Sequence, residues 1–87
     1  MAEYRLLIKG SAKKEIESLS PKAVRQRIIE RIQALAMDPR AHGSEKLAGS
    51  PYRYRVRPGN FRIIYLIDDE RRDVTIFKVG NRKDVYR

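Results

Sequence analysis

The chain has 87 residues, no cysteine and a formal net charge of +9 at pH 7. Without cysteine it has no disulfide framework, no cysteine-based zinc finger and no thiol nucleophile, and the excess positive charge predicts a polyanionic partner. We expect a single domain over residues 1–87 that is soluble and cytoplasmic, because the sequence contains neither a signal peptide nor an apolar run of membrane-spanning length.

The chain begins with a predicted strand and a short helix. Apolar residues occupy every second position between Glu3 and Lys9, which is typical of a strand with one buried face. Gly10 ends this strand, and Ser11 is a suitable N-cap for a helix that extends to Leu19. The residues that this helix would bury lie three and four positions apart: Ala12, Ile16 and Leu19.

A second, longer helix is predicted from Pro21 to about Met37. Proline is tolerated at the first helical position, and Ser20 before it can act as the N-cap. Asp38 and Pro39 end the helix, because proline disfavours helical geometry in the residue before it. One face is apolar, so we expect the two helices to form a hairpin that packs on a sheet. The apolar stripe is Val24, Ile28, Ile32 and Leu35.

The second half of the chain predicts a connecting loop and three strands. The loop covers Arg40–Pro51, and the strands cover Tyr52–Arg57, Phe61–Ile67 and Val74–Val79. The middle strand is apolar on nearly both faces, which favours the centre of the sheet. Residues Gly80–Arg87 are too few and too polar for another core element. The predicted fold is α+β, in the order β-α-α-β-β-β, with a helix hairpin on one face of a small, mostly antiparallel sheet.

Arginine alternates with apolar residues in the first of these three strands. Successive side chains of a strand point to opposite faces. No acidic residue occurs in this strand, in the following turn or in the next strand, which predicts a cationic face without local counter-charge. Such a face binds phosphates, although a solvated outer face of an edge strand is the alternative. We expect Tyr52, Tyr54 and Val56 to pack inward, and Arg53, Arg55 and Arg57 to point outward.

The single histidine and the acidic residues of the last turn do not indicate a histidine-based active site or a metal site. His42 is the only histidine of the chain and lies in a loop, so a mechanism with two histidines is excluded. The acidic residues of the last turn resemble a two-metal cluster by composition only, because Arg71 and Arg72 are interleaved with them. They are Asp68, Asp69, Glu70 and Asp73.

The order of motifs resembles the RelE/ParE toxin superfamily over essentially the whole chain, and within it RelE. The resemblance rests on a Lys46-Leu-Ala-Gly loop, a basic strand from Tyr52, Gly59-Asn-Phe-Arg in the next strand and Gly80-Asn-Arg-Lys-Asp-Val-Tyr at the end. Members are toxins of toxin–antitoxin pairs. RelE-type members cleave mRNA in the ribosomal A site without a metal, whereas ParE-type members share the fold and poison DNA gyrase. The resemblance implies an endoribonuclease, with a gyrase inhibitor or a non-toxic RNA-binding module as alternatives.

The resemblance also implies roles for individual residues. Arg53 and Arg55 stand where a well-known bacterial RelE has lysines, the first of which is regarded as the general base. Arg62 matches an arginine that stabilises the phosphate. Arg82 matches an arginine that acts on the leaving group. Tyr86 matches a tyrosine that stacks on or orients the nucleotide. Further RNA contacts are expected from Arg57, Lys46 and Lys83.

The two arginines at lysine positions change the expected mechanism. A guanidinium, with a pKa above about 12, is a poor proton acceptor. We therefore expect cleavage to depend mainly on electrostatic stabilisation and on in-line orientation of the 2′-hydroxyl, with the ribosome supplying much of the positioning. A Tyr86 phenolate is an alternative base.

No cofactor is implied by the resemblance, but several partners are. They are mRNA, the ribosome and a cognate, RelB-like antitoxin. An acidic or disordered antitoxin segment would wrap over the basic surface and form a hetero-oligomer with the toxin.

Overall fold

A computed structural model describes residues 3–81 of the chain. Its elements confirm the predicted α+β fold and add one strand to the predicted order. Among these residues no helix is both long and apolar enough to cross a membrane. In chain order the elements are β1 (Arg5–Ile8), α1 (Gly10–Glu17), α2 (Lys22–Met37), β2 (Glu45–Lys46), β3 (Arg53–Val56), β4 (Phe61–Asp68) and β5 (Asp73–Asn81).

The strands form one five-stranded sheet in the order β1-β5-β4-β3-β2. The first and last strands, β1 and β5, are parallel, and the other three pairs are antiparallel. The sheet is therefore mixed but mostly antiparallel, as predicted. The strand β4 lies at its centre, which the apolar residues on both of its faces predicted.

The core lies between the two helices and one face of the sheet. Most of the predicted helix stripes are confirmed, since Ala12 and Ile16 of α1 and Ile28, Ile32 and Leu35 of α2 are all buried. Leu19 and Val24 are only half-buried, and α1 ends at Glu17, before Leu19. On the sheet side the buried apolar residues come from the three inner strands: Val56, Ile63, Tyr65, Ile67, Val74, Ile76 and Val79.

The predicted N-caps of both helices are wrong. The N-cap of α1 is Lys9, whose amide still donates to the carbonyl of Ile76 in the sheet while its own carbonyl accepts the first helical hydrogen bond from Lys13. The chain therefore turns from strand to helix before Ser11. The N-cap of α2 is Pro21 rather than Ser20, because the Pro21 carbonyl accepts the first helical bonds. Neither N-cap makes a side-chain hydrogen bond.

Two other boundaries differ from the prediction. The segment Arg40–Pro51 is not only a loop, because its residues Glu45–Lys46 form β2 at the edge of the sheet. The strand β5 also continues through Gly80 and Asn81, which were predicted to lie in the terminal tail. In both places strand residues pair with a neighbour that no local pattern reveals.

Candidate nucleic-acid interface

The face of the sheet turned away from the helices carries the arginines of β3. Tyr54 lies opposite Tyr65 of β4, and Tyr65 is fully buried in the core under the helices. Directly paired residues share a face of a sheet, and neighbours along a strand point to opposite faces. Arg53 and Arg55, on either side of Tyr54, therefore point outward as predicted. Their partners across the strand pair are Leu66 and Ile64.

Tyr52 does not pack inward, so its predicted place in the core is wrong. Its side chain is 62% exposed, whereas Tyr54 is half-buried and stacks on Tyr65 with ring centroids 6.0 Å apart. The strand β3 begins only at Arg53, and the Tyr52 carbonyl accepts one last hydrogen bond from Ile67. Tyr52 is two residues before Tyr54, so the alternation of the strand would direct it toward the core. It lies before the first residue of β3, however, where no core residues cover it.

The counter-charge to these arginines comes from the edge strand β2. Glu45 pairs with Arg55, so its side chain lies on the same open face. Its Oε1 atom accepts a hydrogen bond of 2.7 Å from Nη2 of Arg57 and one of 3.4 Å from Nη2 of Arg55. The predicted absence of counter-charge is therefore wrong for these two arginines, because the acidic residue comes from a segment that was predicted to be a loop. We call the open side of the sheet around Arg53, Arg55 and Arg57 the arginine face.

The guanidinium of Arg53, on the arginine face, packs against an aromatic ring. The pairing of β4 with β5 shifts between Ile64 and Tyr65, which leaves Phe77 as an extra residue in β5. The guanidinium of Arg53 lies 4.7 Å from the centroid of the Phe77 ring, and the ammonium of Lys9 lies 4.1 Å from it. Each cation–π contact at such a site contributes about 0.5–1 kcal/mol. The sequence reasoning missed Lys9 and Phe77, because a bulge between distant strands leaves no local signal.

Arg62 is the most deeply buried of the predicted site residues. It lies on β4 opposite Gly80 and is only 5% exposed. Gly80 has no side chain, so the long arginine side chain can lie across the position where a neighbour would otherwise project. A cation in such a water-poor site acts more strongly on a nearby anion than an exposed one does.

Lys46, another predicted RNA contact, does not lie on the arginine face. Lys46 pairs with Tyr54 and therefore lies on the side of the sheet that faces the helices. An RNA contact by Lys46 would need a surface separate from the arginine face. Arg82, Lys83 and Tyr86 lie outside the described residues, and their roles remain predictions.

Two carboxylates at the acidic turn between β4 and β5 pair with arginines from other parts of the fold. Both oxygens of Asp69 accept hydrogen bonds from Arg40, at 3.1 and 2.8 Å, and Oδ1 also accepts one of 2.6 Å from the Tyr4 hydroxyl. These bonds, chiefly those from Arg40, lower the pKa of Asp69 from 3.8 to about 2. Asp73 is nearly buried and pairs with Arg5 at 3.0 Å. The carboxylates of Asp69 and Asp73 thus form structural ion pairs.

A groove of about 780 Å³ opens beside this turn. Four carboxylates and two arginines contribute to its walls, so its balance of charge is negative. A nucleic acid would be repelled there, and we assign no RNA contact to it. The charged residues are Arg40, Asp68, Asp69, Glu70, Arg71 and Asp73.

Comparison with known proteins agrees with the resemblance seen in the sequence. The family model described as the ParE toxin of the type II toxin–antitoxin system parDE matches residues 6–86. This chain belongs to the RelE/ParE toxin superfamily. Its sequence is similar to that of Toxin RelG from Mycobacterium tuberculosis (strain ATCC 25618 / H37Rv), with 29% identity over 87 residues and 97% of each chain covered.

Solved structures of other RelE/ParE toxins share the fold. A chain of the archaeal RelE–RelB complex from Pyrococcus horikoshii OT3 is 30% identical, with a TM-score of 0.81 and coverage of 97% of this chain and 99% of that one. A chain of the toxin–antitoxin complex RelBE2 from Mycobacterium tuberculosis is 26% identical, with a TM-score of 0.82 and 97% of each chain covered. The protein is thus a toxin of a type II toxin–antitoxin system with a RelE-like fold.

Proposed function

We propose that this toxin is a metal-independent endoribonuclease that cleaves mRNA in the ribosomal A site and so inhibits translation. The observation that carries the proposal is the arginine face, on which Arg53 and Arg55 of β3 and Arg57, directly after this strand, lie on the same side of the sheet. Arg53 is exposed, and the side chain of Arg57 is 45% exposed, so both can contact a phosphate directly. Arg55 lies between them and is more buried, with 23% of its side chain exposed.

The arginine face suits the phosphate chemistry of such a reaction. Attack of a 2′-hydroxyl on the neighbouring phosphate builds negative charge on a pentacoordinate phosphorus, and preorganised cations stabilise that charge. In this proposal Arg53 and Arg55 bind the scissile phosphate. Arg62, on the neighbouring strand β4, stabilises the charge that develops during attack.

The residues beyond Asn81 complete the proposed site. By resemblance to RelE, Arg82 would stabilise the leaving 5′ oxygen, Tyr86 would stack on or orient the nucleotide, and Lys83 would contact the RNA backbone. The ribosome would position the mRNA, because holding two reacting groups in line removes much of the entropic barrier.

We further propose that a cognate antitoxin of RelB type neutralises the toxin. Similar structures are toxin–antitoxin complexes, among them the archaeal RelE–RelB complex. The net charge of +9 supports an antitoxin with an acidic segment, since charge complementarity favours association. Such a segment would cover the arginine face and block access of RNA.

A second candidate is the inhibition of DNA gyrase without RNA cleavage. It is favoured by one observation, the match to a family model that is described as the ParE toxin. A gyrase poison has no need of a phosphate-binding set on the open side of the sheet, so its toxicity should survive changes there.

The experiment that separates the two is primer extension on an mRNA in a reconstituted translation reaction. We expect the wild-type toxin to produce codon-spaced cuts that require the ribosome. Arg53→Gln and Arg82→Ala should weaken the cuts at least tenfold, while Arg71→Gln, which removes the same charge in the acidic turn, should leave them unchanged. An intact mRNA together with growth arrest in cells would contradict the proposal, and inhibition of supercoiling by purified gyrase would then support the second candidate.

A further inference from the structure

Among residues 3–81, Glu45 is the carboxylate that contacts Arg55 and Arg57 of the arginine face. Both of its hydrogen bonds, from Arg55 and Arg57, go to the same oxygen, Oε1. Its other oxygen, Oε2, accepts no hydrogen bond from residues 3–81, and 47% of its side chain is exposed. The two arginines therefore orient the carboxylate while one of its oxygens remains open to a bound molecule.

The proposed cleavage reaction needs a proton acceptor, and the arginines cannot supply it. A guanidinium, with a pKa above about 12, stays protonated near neutral pH, whereas an ionised carboxylate can accept a proton as a general base. We propose that Glu45 is the general base that removes the proton from the attacking 2′-hydroxyl. This assignment rests on the proposed function of the arginine face.

The reaction is balanced without any further reactant. Oε2 of Glu45 takes the proton of the 2′-hydroxyl while the 2′ oxygen forms a bond to phosphorus and the bond from phosphorus to the 5′ oxygen breaks. The 5′ oxygen takes a proton from water and leaves as a 5′-hydroxyl, and the other fragment ends in a 2′,3′-cyclic phosphate. Glu45 then returns its proton to the solvent, so the net reaction neither consumes nor releases a proton.

The position of Glu45 on the sheet agrees with this role. Neighbouring strands lie about 4.8 Å apart, so a phosphate bound by Arg55 of β3 lies one strand away from the carboxylate on β2. The 2′-hydroxyl and the scissile phosphate belong to the same nucleotide and are therefore presented to these two strands together. Arg57 contacts Glu45 at 2.7 Å and acts as a positioning residue for the base.

A purely structural role for Glu45 makes the opposite prediction. If the carboxylate only neutralised Arg55 and Arg57, its removal would leave those cations free for phosphate, and both RNA binding and cleavage would increase. If Glu45 is the base, its removal lowers the cleavage rate even though RNA binding stays the same or becomes tighter. The direction of change in the rate distinguishes the two roles.

The test compares Glu45→Gln and Glu45→Asp with the wild type in single-turnover cleavage of ribosome-bound mRNA. We expect Glu45→Gln to lower the cleavage rate about 100-fold, within the range typical of general-base catalysis. The affinity for a short single-stranded RNA should not fall. Glu45→Asp retains a carboxylate and should recover part of the rate. Glu17→Gln removes the same charge from an exposed position on α1 and serves as the matched control.

The outcomes separate the failure of this assignment from failure of the proposed function. If the wild type cuts and Glu45→Gln cuts equally fast or faster, Glu45 is not the base, whereas the endoribonuclease activity stands. If the wild type leaves the mRNA intact under the same conditions, the proposed function itself fails and the role of Glu45 fails with it. Urea unfolding of each variant verifies that a lost rate does not reflect a lost fold.

Discussion

The hydroxyl of Tyr65 joins the centre of the sheet to the loop that follows α2. Tyr65 is fully buried, and its hydroxyl donates a hydrogen bond of 2.6 Å to the carbonyl of Pro39, which is also buried. Tyr65→Phe would keep the ring and its stacking on Tyr54 but remove the donor. The Pro39 carbonyl would then remain buried without this hydrogen bond.

The expected loss of stability follows from that carbonyl. A buried polar group deprived of its partner costs about 1–3 kcal/mol, and we take about 2 kcal/mol. With a urea m-value of about 1 kcal/mol/M for so small a protein, the unfolding midpoint should fall by about 2 M. For a domain of this size the melting temperature should fall by roughly 8–16 °C.

Urea denaturation followed by circular dichroism measures this change. Tyr52→Phe is the matched control, because it removes the same hydroxyl from a side chain that is 62% exposed, and its midpoint should equal that of the wild type. A midpoint for Tyr65→Phe within about 0.3 M of the wild type, well below the shift that the buried carbonyl predicts, would refute this reasoning.

Two further predictions concern charge. Because the folded pKa of Asp69 lies below its ordinary value, its ion pair stabilises the fold fully above about pH 4 and is lost as the pH falls through about 2. Asp69→Asn should therefore unfold at lower urea than the wild type at pH 7, with a difference that narrows between pH 4 and pH 2. A difference independent of pH would contradict the ion pair. If Arg53, Arg55 and Arg57 each contact a phosphate, the logarithm of RNA affinity should fall with the logarithm of salt concentration with a slope of about −2, and Arg53→Gln should reduce that slope by about 0.7. Equal slopes for Arg53→Gln and Arg71→Gln would place the RNA elsewhere.

The parts of the fold that the sequence predicts well are those encoded by local periodicity. The stripe of α2 repeats every three or four residues, and β4 is apolar on both faces, so the second helix and the central strand follow from the pattern alone. The outward direction of Arg53 and Arg55 also follows, because alternation along a strand needs no knowledge of distant residues.

The errors concern features that depend on distant pairing. The strand β2 is only two residues long and carries no periodic signal, yet it brings Glu45 to Arg55 and Arg57. Phe77 reaches Arg53 through a register shift between β4 and β5, which only the assembled sheet reveals. Tyr52 follows the same alternation as Tyr54 but lies past the end of the strand, where no core residues cover it.

The central claim is that the toxin cuts RNA by attack of the 2′-hydroxyl, and a single substitution in the mRNA tests it most directly. An mRNA whose A-site codon carries one 2′-deoxynucleotide on the 5′ side of the scissile phosphate lacks the attacking group but keeps its bases and charges. The account predicts that cleavage at this position disappears, while an unmodified codon placed in the A site is still cut. Undiminished cleavage after the deoxynucleotide would contradict it.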